Sequence, residues 1–435
     1  MWFITNDTTP NPGLIGFSLP RARAFLSNSH CCISKSPDQR SHTPKQIYNN
    51  GLDTHSLFPF HTHTHTHTHT HTHTHIYMIS SASARFSTKR HLAPLLRRGY
   101  AGATPALSVE SARAHCLNLL QAQDRSSYVL HSYVAPPARD AFLAIRAFNI
   151  DTAKIGDTVS KAEIAQFRFD FWRSTVQRVF AVKQSTQEVP QEPVAVLMAH
   201  ALLQRDYPIS MSKRFFITLL QTREKHVTNP PFRTIDSLAS YGEGTHSQLN
   251  YLLQEILYSV SPKTTTFLNE HPDIAEQCHD IAAHIGQATG IAAMLRGFSF
   301  YATRGFVPLP VQLLTKKDLS QDGVLRFLAG ETDGVDPQTA AKLSDIVFET
   351  ATRANDHLIS ASSMLAQVKE SLCNTLPDAI MVPALTSIPT KLFLERLEKY
   401  DFNIVHPELM KKGATGGDNW KLPYRSYKAY KLRKI

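Results

Sequence analysis

The spacing of apolar residues constrains the fold most strongly, because from Ser108 onward apolar residues mostly recur every three or four positions. Residues at i, i+3, i+4 and i+7 share one face of an α-helix. Alternating strand patterns with Asn-Gly or Asp-Gly turns are scarce over the same residues. The sequence therefore predicts an all-α fold, with about eight to ten helices of about a dozen residues each.

Several segments show this period clearly. Ser108 can cap a first helix, and Pro193 stands near the start of another, where proline is tolerated. We expect these apolar faces to point into a core: Ala112, Cys116, Leu119, Leu120; Leu143, Ala147, Ile150; Ile164, Phe167, Phe171, Val176; Leu249, Leu252, Leu253, Ile256, Leu257; Ile281, Ile285, Ala288, Ala292, Leu295.

The segment 280–297 is unusual because one side carries small residues, among them Gly286, Gly290 and Gly297. Glycine inside a helix costs about 1 kcal/mol, so it needs a structural reason. Close packing of a neighbouring helix and the lining of a ligand cavity both satisfy this pattern, and the two interpretations stay open.

Composition excludes several classes of protein. A hydrophobic content of 42% is enough for a packed core, which excludes wholesale disorder. None of the five cysteines forms a C-x-x-C pair, which argues against a zinc finger and a disulfide framework. No apolar run reaches the roughly 18–20 residues that a membrane-spanning helix needs.

The net charge of +10 is concentrated at the two ends of the chain. Residues 1–100 contribute +7 and residues 411–435 contribute another +7, whereas residues 101–410 carry −4. A mildly acidic body between two basic ends is a poor nucleic-acid binder, so we expect no nucleic-acid partner.

Residues 61–75 alternate strictly between histidine and threonine. Such a tract buries no face, and although histidine-rich tracts bind metals, a CA dinucleotide repeat would encode the same alternation. The remainder of 1–77 shows no sustained period. We therefore interpret 1–77 as a low-complexity extension of the gene model.

Residues 78–100 contain five basic residues, several serines and no acid, which is typical of a mitochondrial presequence. A basic amphipathic helix is drawn to anionic lipid and to the membrane potential. The residues before Ala101 resemble a matrix-protease site, so we expect cleavage between Tyr100 and Ala101. The predicted organisation is then an extension (1–77), a presequence (78–100), a helical domain (101–410) and a basic aromatic tail (411–435).

Three stretches carry a resemblance to a known family: APPARDAFLAIRAFN (135–149), YGEGTHSQLNYLLQEIL (241–257) and HIGQATGIAAMLRGFSFYATRGFVPLP (284–310). Their order and spacing resemble the squalene/phytoene synthase family. The resemblance implies a single isoprenoid-synthase-type helical bundle around a central cavity. FDFWRSTV (169–176), TREKHV (222–227) and FLERLEKYDFNIVHPEL (393–409) resemble a narrower branch that acts in assembly of mitochondrial complex I.

Enzymes of the family need two acid-rich motifs that hold Mg²⁺ ions against a diphosphate leaving group. The first motif, D-D-x-x-D, falls on Ala153 to Asp157, and only Asp157 is acidic, with Lys154 one turn before it. Asp151 would lie about 120° away around the helix. A register that starts at Asn149 is no better, since its later acid positions become Thr152, Ala153 and Lys154.

The second motif, N-x-x-R-D-x-x-E-D, keeps its arginine and none of its acids. Its key positions fall on Ala293, Arg296, Gly297, Phe300 and Tyr301. No Asp or Glu stands between Asp280 and Asp318. The residues therefore predict no metal site, no catalytic residue and no cofactor.

The resemblance leaves three hypotheses. The chain is a catalytically inactive member that contacts complex I assembly intermediates or other assembly factors at the matrix side of the inner membrane; or a residual prenyl-transferring enzyme; or a protein that binds an isoprenoid-like lipid in its cavity. Tyr241, Arg296 and Arg304 are candidates for contacts with a bound lipid or anion, although Tyr241 also suits an ordinary buried position and the two arginines suit internal salt bridges.

The C-terminal tail interleaves Trp420, Tyr424, Tyr427 and Tyr430 with six basic residues. In a helix, the three tyrosines would lie on one side with cations around them. This pattern suits the anionic surface of the inner membrane or an acidic partner, and a solvated tail is the alternative.

Overall fold

The computed structural model describes residues 107–159, 162–182, 189–410 and 420–435. The predictions for 1–77, for the presequence 78–100 and for cleavage between Tyr100 and Ala101 lie outside these residues. The described ranges contain helices and turns and no β-strand, which confirms the all-α class.

The α-helices are numbered in chain order. The first nine are α1 (Val109–Gln123), α2 (Arg125–Leu130), α3 (Arg139–Ala153), α4 (Ile155–Thr158), α5 (Ala162–Ala181), α6 (Pro193–Leu203), α7 (Lys213–Lys225), α8 (Ile235–Gly242) and α9 (Gln248–Ser259). A single π-helical turn, Glu243–Ser247, joins α8 to α9.

The remaining helices are α10 (Pro262–Glu270), α11 (Pro272–Arg296), α12 (Phe298–Ala302), α13 (Val311–Lys316), α14 (Gln321–Leu328), α15 (Thr339–Ser371), α16 (Asp378–Ala384), α17 (Ile388–Lys399), α18 (Pro407–Met410) and α19 (Lys421–Leu432). These are more helices than the sequence predicts, because single residues such as Lys154 and Gly297 divide segments that the apolar period alone leaves continuous.

Local capping explains where several helices begin. The Ser108 hydroxyl accepts a hydrogen bond of 3.1 Å from the Ser111 amide, so α1 starts where the sequence predicts. The Glu192 carboxylate accepts bonds of 3.0 and 2.7 Å from the first free amides of α6. Pro193 occupies the first turn of α6, where its missing N–H costs nothing.

Two long helices organise the core. Helix α11 has 25 residues and α15 has 33, and they pack side by side. One hydrophobic cluster surrounds the N-terminal half of α11 together with α1, α3, α5, α6, α7, α9 and α16. A second hydrophobic cluster surrounds the C-terminal half of α11 together with α8, α13, α14 and α17. The described residues all belong to one compact unit.

The core-facing side of α5 differs from the prediction. Ile164, Phe167 and Phe171 are exposed, Phe167 by 74%, although Val176 is buried as expected. The helix packs on α6 and α7 through a second set of residues with helical spacing: Ala165, Phe169, Trp172, Val176 and Val179. The prediction was wrong here because α5 carries apolar residues at helical spacing on both faces, and the period alone does not choose between them.

The C-terminal helix α19 packs against the rest of the fold. Leu422, Ser426 and Ala429 are buried, and the Tyr430 ring lies 5.1 Å from the ring of Tyr133. Within the described ranges, no helix combines the length and apolar character required to cross a membrane.

Candidate functional site

A cavity of about 230 Å³ lies where α3, α4, α5, α7, α8, α11 and α12 meet. Seven of the residues singled out from the sequence line it: Asn149, Thr152, Ala153, Asp157, Tyr241, Ala293 and Tyr301. They come from both motif regions, so the fold brings the two motifs to one pocket. Residues that the sequence did not single out also line it, among them Arg223, His226, Phe169, His246 and Met294.

Arg223 of α7 is the principal residue that the sequence analysis missed. Its side chain is 8% exposed. One guanidinium nitrogen donates to the Asn149 carbonyl at 2.9 Å and to the Thr152 hydroxyl, and the other donates to Asn149 Oδ1 at 2.6 Å. The cation is therefore bonded to the end of α3, beside the first motif.

The charge of Arg223 acts on its neighbours in the pocket. Burial lowers the pKa of Arg223, and its interactions with Tyr241 and Tyr301 oppose that shift. Burial raises the pKa of the Tyr241 hydroxyl, whose hydrogen bond with Arg223 opposes the rise. Both tyrosines remain protonated at neutral pH, so the pocket presents their hydroxyls next to one fixed cation.

His246 lies on the π-helical turn and faces the same pocket. Burial, followed by the positive charges of Arg223 and Arg146, lowers its pKa to about 3. The imidazole is therefore neutral at physiological pH. Single π-helical turns within helices are frequent at functional sites. Here the turn carries His246, which lines the cavity.

Among the described residues, Asp157 is the one carboxylate that lines the pocket. Helix α3 ends at Ala153, and the chain turns at Lys154 before α4 begins. Burial raises the pKa of Asp157, and the charges of Arg304 and Arg223 oppose the rise. Lys154 stands one turn before Asp157, but no salt bridge joins the two among the described residues. Lys154 instead opposes a burial-driven rise in the pKa of Asp151.

Tyr301 and Gly297 contact each other. A Cβ added at Gly297 would lie 2.7 Å from Cε2 of Tyr301, so the ring packs over the glycine. Five of the predicted residues do not line the pocket: Lys154, Arg296, Gly297, Phe300 and Arg304. Arg296 lies over the Phe393 ring at 5.1 Å, and Arg304 lies over the exposed Phe300 ring at 3.6 Å, with a 3.5 Å contact to the Asp157 carbonyl.

Most of the small residues of α11 serve helix packing. A Cβ at Gly290 would lie 2.3 Å from Cα of Gly242, and one at Gly286 would lie 2.3 Å from the Ser247 amide. These distances are far shorter than a van der Waals contact, so only glycine permits this approach. Ala293, one turn later, lines the cavity. The two interpretations of this helix therefore apply to different parts of it.

The donor set of the pocket does not fit the pair of Mg²⁺ ions that the enzymes of the family use. Mg²⁺ prefers octahedral oxygen ligands and is usually anchored by carboxylates. The described residues contain no group of three or more His, Cys, Asp or Glu side chains that could hold a metal ion. The described lining of the pocket offers one carboxylate, and the Arg223 cation lies in the same cavity.

Comparison with solved structures supports the fold. The chain aligns with a dehydrosqualene synthase in complex with ligand at a TM-score of 0.52 and 14% identity, over 74% of this chain and 98% of that one. It aligns with a squalene synthase from Alicyclobacillus acidocaldarius at a TM-score of 0.50 and 12% identity, over 68% and 96%. These likenesses confirm the predicted isoprenoid-synthase-type bundle.

Comparison with curated sequences gives more similar relatives. The chain is 28% identical over 298 residues to "NADH dehydrogenase (ubiquinone) complex I, assembly factor 6" of Homo sapiens, covering 68% of this chain and 77% of that protein. It is 27% identical over 282 residues to the Dictyostelium discoideum homologue of that factor, covering 65% and 68%.

The family model described as squalene/phytoene synthase matches residues 120–415. That range includes the three stretches on which the sequence resemblance rests, and it covers well over half of the chain. The chain belongs to the squalene/phytoene synthase family.

Proposed function

We propose that this protein acts in the assembly of mitochondrial respiratory complex I and performs no prenyl transfer. The observation that carries the proposal is the pocket in which the two motif regions meet. The described residues that line it include one carboxylate, Asp157, and a buried arginine, Arg223. The named function of the relatives from Homo sapiens and Dictyostelium discoideum supports the same conclusion.

The chemistry of the pocket supports the absence of prenyl transfer. Departure of a diphosphate needs cations that neutralise the charge developing on its oxygens. Ala153, Lys154, Gly297, Phe300 and Tyr301 replace the acids that would bind those metal ions. Arg223 supplies a positive charge, but it is already hydrogen-bonded to Asn149 and Thr152.

The proposed location is the matrix side of the mitochondrial inner membrane, as a peripheral protein. The presequence-like composition of 78–100, with cleavage between Tyr100 and Ala101, supports import. The basic residues of the tail support contact with an anionic membrane surface. The proposed partners are complex I assembly intermediates or other assembly factors.

Deletion of the gene tests this function. The proposal predicts less assembled complex I, measured on native gels, with unchanged levels of squalene, sterols and carotenoids. Complex I that assembles normally in the deletion strain would contradict it. Purified full-length protein that turned over farnesyl or geranylgeranyl diphosphate with Mg²⁺ would restore the enzyme hypothesis.

A second candidate function, binding of an isoprenoid-like lipid, is favoured by the pocket itself. The hydroxyls of Tyr241 and Tyr301 and the neutral ring of His246 line an open volume. Its size, about 230 Å³, is below the roughly 300–1,000 Å³ of pockets that enclose drug-sized ligands. The pocket therefore suits a small polar head group better than a whole prenyl chain.

Mass spectrometry of lipids that co-purify with the full-length protein tests this candidate. Binding predicts one enriched lipid class, and replacement of Ala153 by Phe, which would fill the pocket, should abolish the enrichment. An unchanged lipid profile in that variant would exclude the pocket as the binding site.

A further inference from the structure

Helix α19 has two different faces. Leu422, Ser426 and Ala429 are buried against the fold. Trp420, Tyr424 and Tyr427 point outward and are 62%, 54% and 54% exposed. At 100° per residue, these three aromatic residues span an arc of only about 60°. The helix therefore presents a narrow aromatic stripe to the outside.

The cations of the same segment divide between the two faces by residue type. Arg425 and Arg433 are half-buried, and they form ion pairs with Glu395 and, at 2.6 Å, with Asp378. The lysines at 421, 428, 431 and 434 are exposed. No acidic residue occurs in 420–435. The arginines therefore attach the helix to the fold, while the lysines flank the aromatic stripe.

We infer that the outer face of α19, formed by Trp420, Tyr424 and Tyr427 with Lys428 and Lys431, binds the surface of an anionic lipid bilayer. Tryptophan and tyrosine favour the membrane–water interface, because their rings are apolar at one end and polar at the other. Lysines beside them are attracted to lipid phosphates. The inference rests on the proposed function only for the identity of the membrane, the mitochondrial inner membrane.

The distribution of charge favours a lipid surface and fixes an orientation. Residues 101–410 carry a net charge of −4, so most of the body would be repelled by anionic lipid. The docked helix holds its lysines and its exposed aromatic rings away from the fold. Binding would therefore present α19 to the membrane and leave the remaining acidic surface toward the aqueous side.

Trp420 provides a readout that is local to the helix. This matters because residues 1–100 carry ten basic residues that would also attract anionic vesicles. The experiment therefore uses the full-length protein with Trp2→Phe, because Trp2 lies within those basic residues. Vesicles of phosphatidylglycerol and phosphatidylcholine should shift the Trp420 emission of this protein to the blue, while phosphatidylcholine alone should not. Addition of Trp420→Phe should abolish the shift, since the remaining Trp172 is buried in the core.

Charge variants test the role of the lysines. Lys428→Gln combined with Lys431→Gln should raise the lipid concentration for half of the emission shift by roughly 30-fold, about fivefold per lysine. The matched control, Lys213→Gln with Lys225→Gln, removes the same charge from exposed positions of α7. This control should change the lipid concentration for half of the emission shift by less than about twofold. Tyr424→Ser with Tyr427→Ser should also weaken binding, and this loss should persist at high salt.

Each of three results would overturn the inference: no blue shift with anionic vesicles, a shift that the Lys428 and Lys431 variants leave unchanged, or an α19 face that binds an acidic protein and no vesicle. Unfolding midpoints equal to that of the wild type would show that the variants fold. The assay contains no complex I, so its failure is distinguishable from failure of the proposed function.

Discussion

The motif pocket and the outer face of α19 both carry cations, but the structure uses those cations differently. In the pocket, Arg223 is buried and its hydrogen bonds go to Asn149 and Thr152. On α19, Lys428 and Lys431 are exposed beside aromatic rings. This difference shows that the cation of the motif pocket belongs to the internal framework, while the lysines of α19 are left for the proposed contact with an anionic surface.

The largest effect should come from the close approach behind the pocket. Gly290→Ala would place a Cβ 2.3 Å from Cα of Gly242, so a backbone must move. We expect a loss of about 3 kcal/mol in the free energy of unfolding, measured with urea. In the matched change Gly156→Ala, the nearest atom is 3.8 Å away, and the loss should stay below about 1 kcal/mol. Equal losses in the two variants would contradict the packing role of α11.

Removal of the buried cation should have the next largest effect. Arg223→Met breaks the hydrogen bonds to Asn149 and Thr152 and should lower the free energy of unfolding by about 2–3 kcal/mol. Arg304→Met, at an exposed arginine, should lower it by less than about 0.5 kcal/mol. If the two variants were equally stable, Arg223 would not be part of the framework.

His246 predicts a pH dependence. Its pKa is about 3 in the folded protein and ordinarily 6.5, so the unfolded state binds more protons between these values. Stability should therefore fall as the pH falls below 6.5. Between pH 7 and pH 5 the loss due to this residue should be on the order of 1–2 kcal/mol. His246→Gln should reduce the slope of unfolding free energy against pH. Part of the remaining slope comes from His357, because burial, with the nearby His284 adding to the shift, lowers the pKa of His357 to about 4.

The smallest effect should come from α19. Tyr430→Phe removes the hydroxyl that donates to Asp378 at 2.9 Å and should cost about 1 kcal/mol of unfolding free energy. Tyr427→Phe changes an exposed residue of the same helix and should leave stability within about 0.5 kcal/mol. A larger cost at Tyr427 would mean that the outward face of α19 contacts the fold.

The sequence predicts the helical class well, because apolar spacing and capping are local signals. Ser108 and Pro193 mark the starts of α1 and α6 correctly. The period fails at α5, where apolar residues occur on both faces and packing on α6 and α7 decides which face is buried. The sequence predicts the helix α19 correctly and places its three tyrosines on one side. In the structure, the Tyr430 ring instead packs against Tyr133, and its hydroxyl donates to Asp378.

The sequence also predicts part of the candidate site, because the motif spacing is a local signal. The motif positions Ala153, Asp157, Ala293 and Tyr301 do meet at one pocket. Arg223 was missed because its contact with Asn149 spans 74 residues, and no local pattern encodes such a contact. The stretch TREKHV contained the signal, since it puts a charged residue on a face of α7 that is otherwise apolar.

The proposed function is support of complex I assembly without metal-dependent chemistry in the pocket. Asp157 is the one carboxylate among the described residues that line it, so Asp157→Asn removes the negative charge while keeping the side-chain shape. The most direct measurement is the amount of assembled complex I, on native gels, in deletion cells that express this variant. We predict the wild-type amount; a variant that folds and accumulates normally yet leaves complex I as low as in the deletion strain would contradict the account.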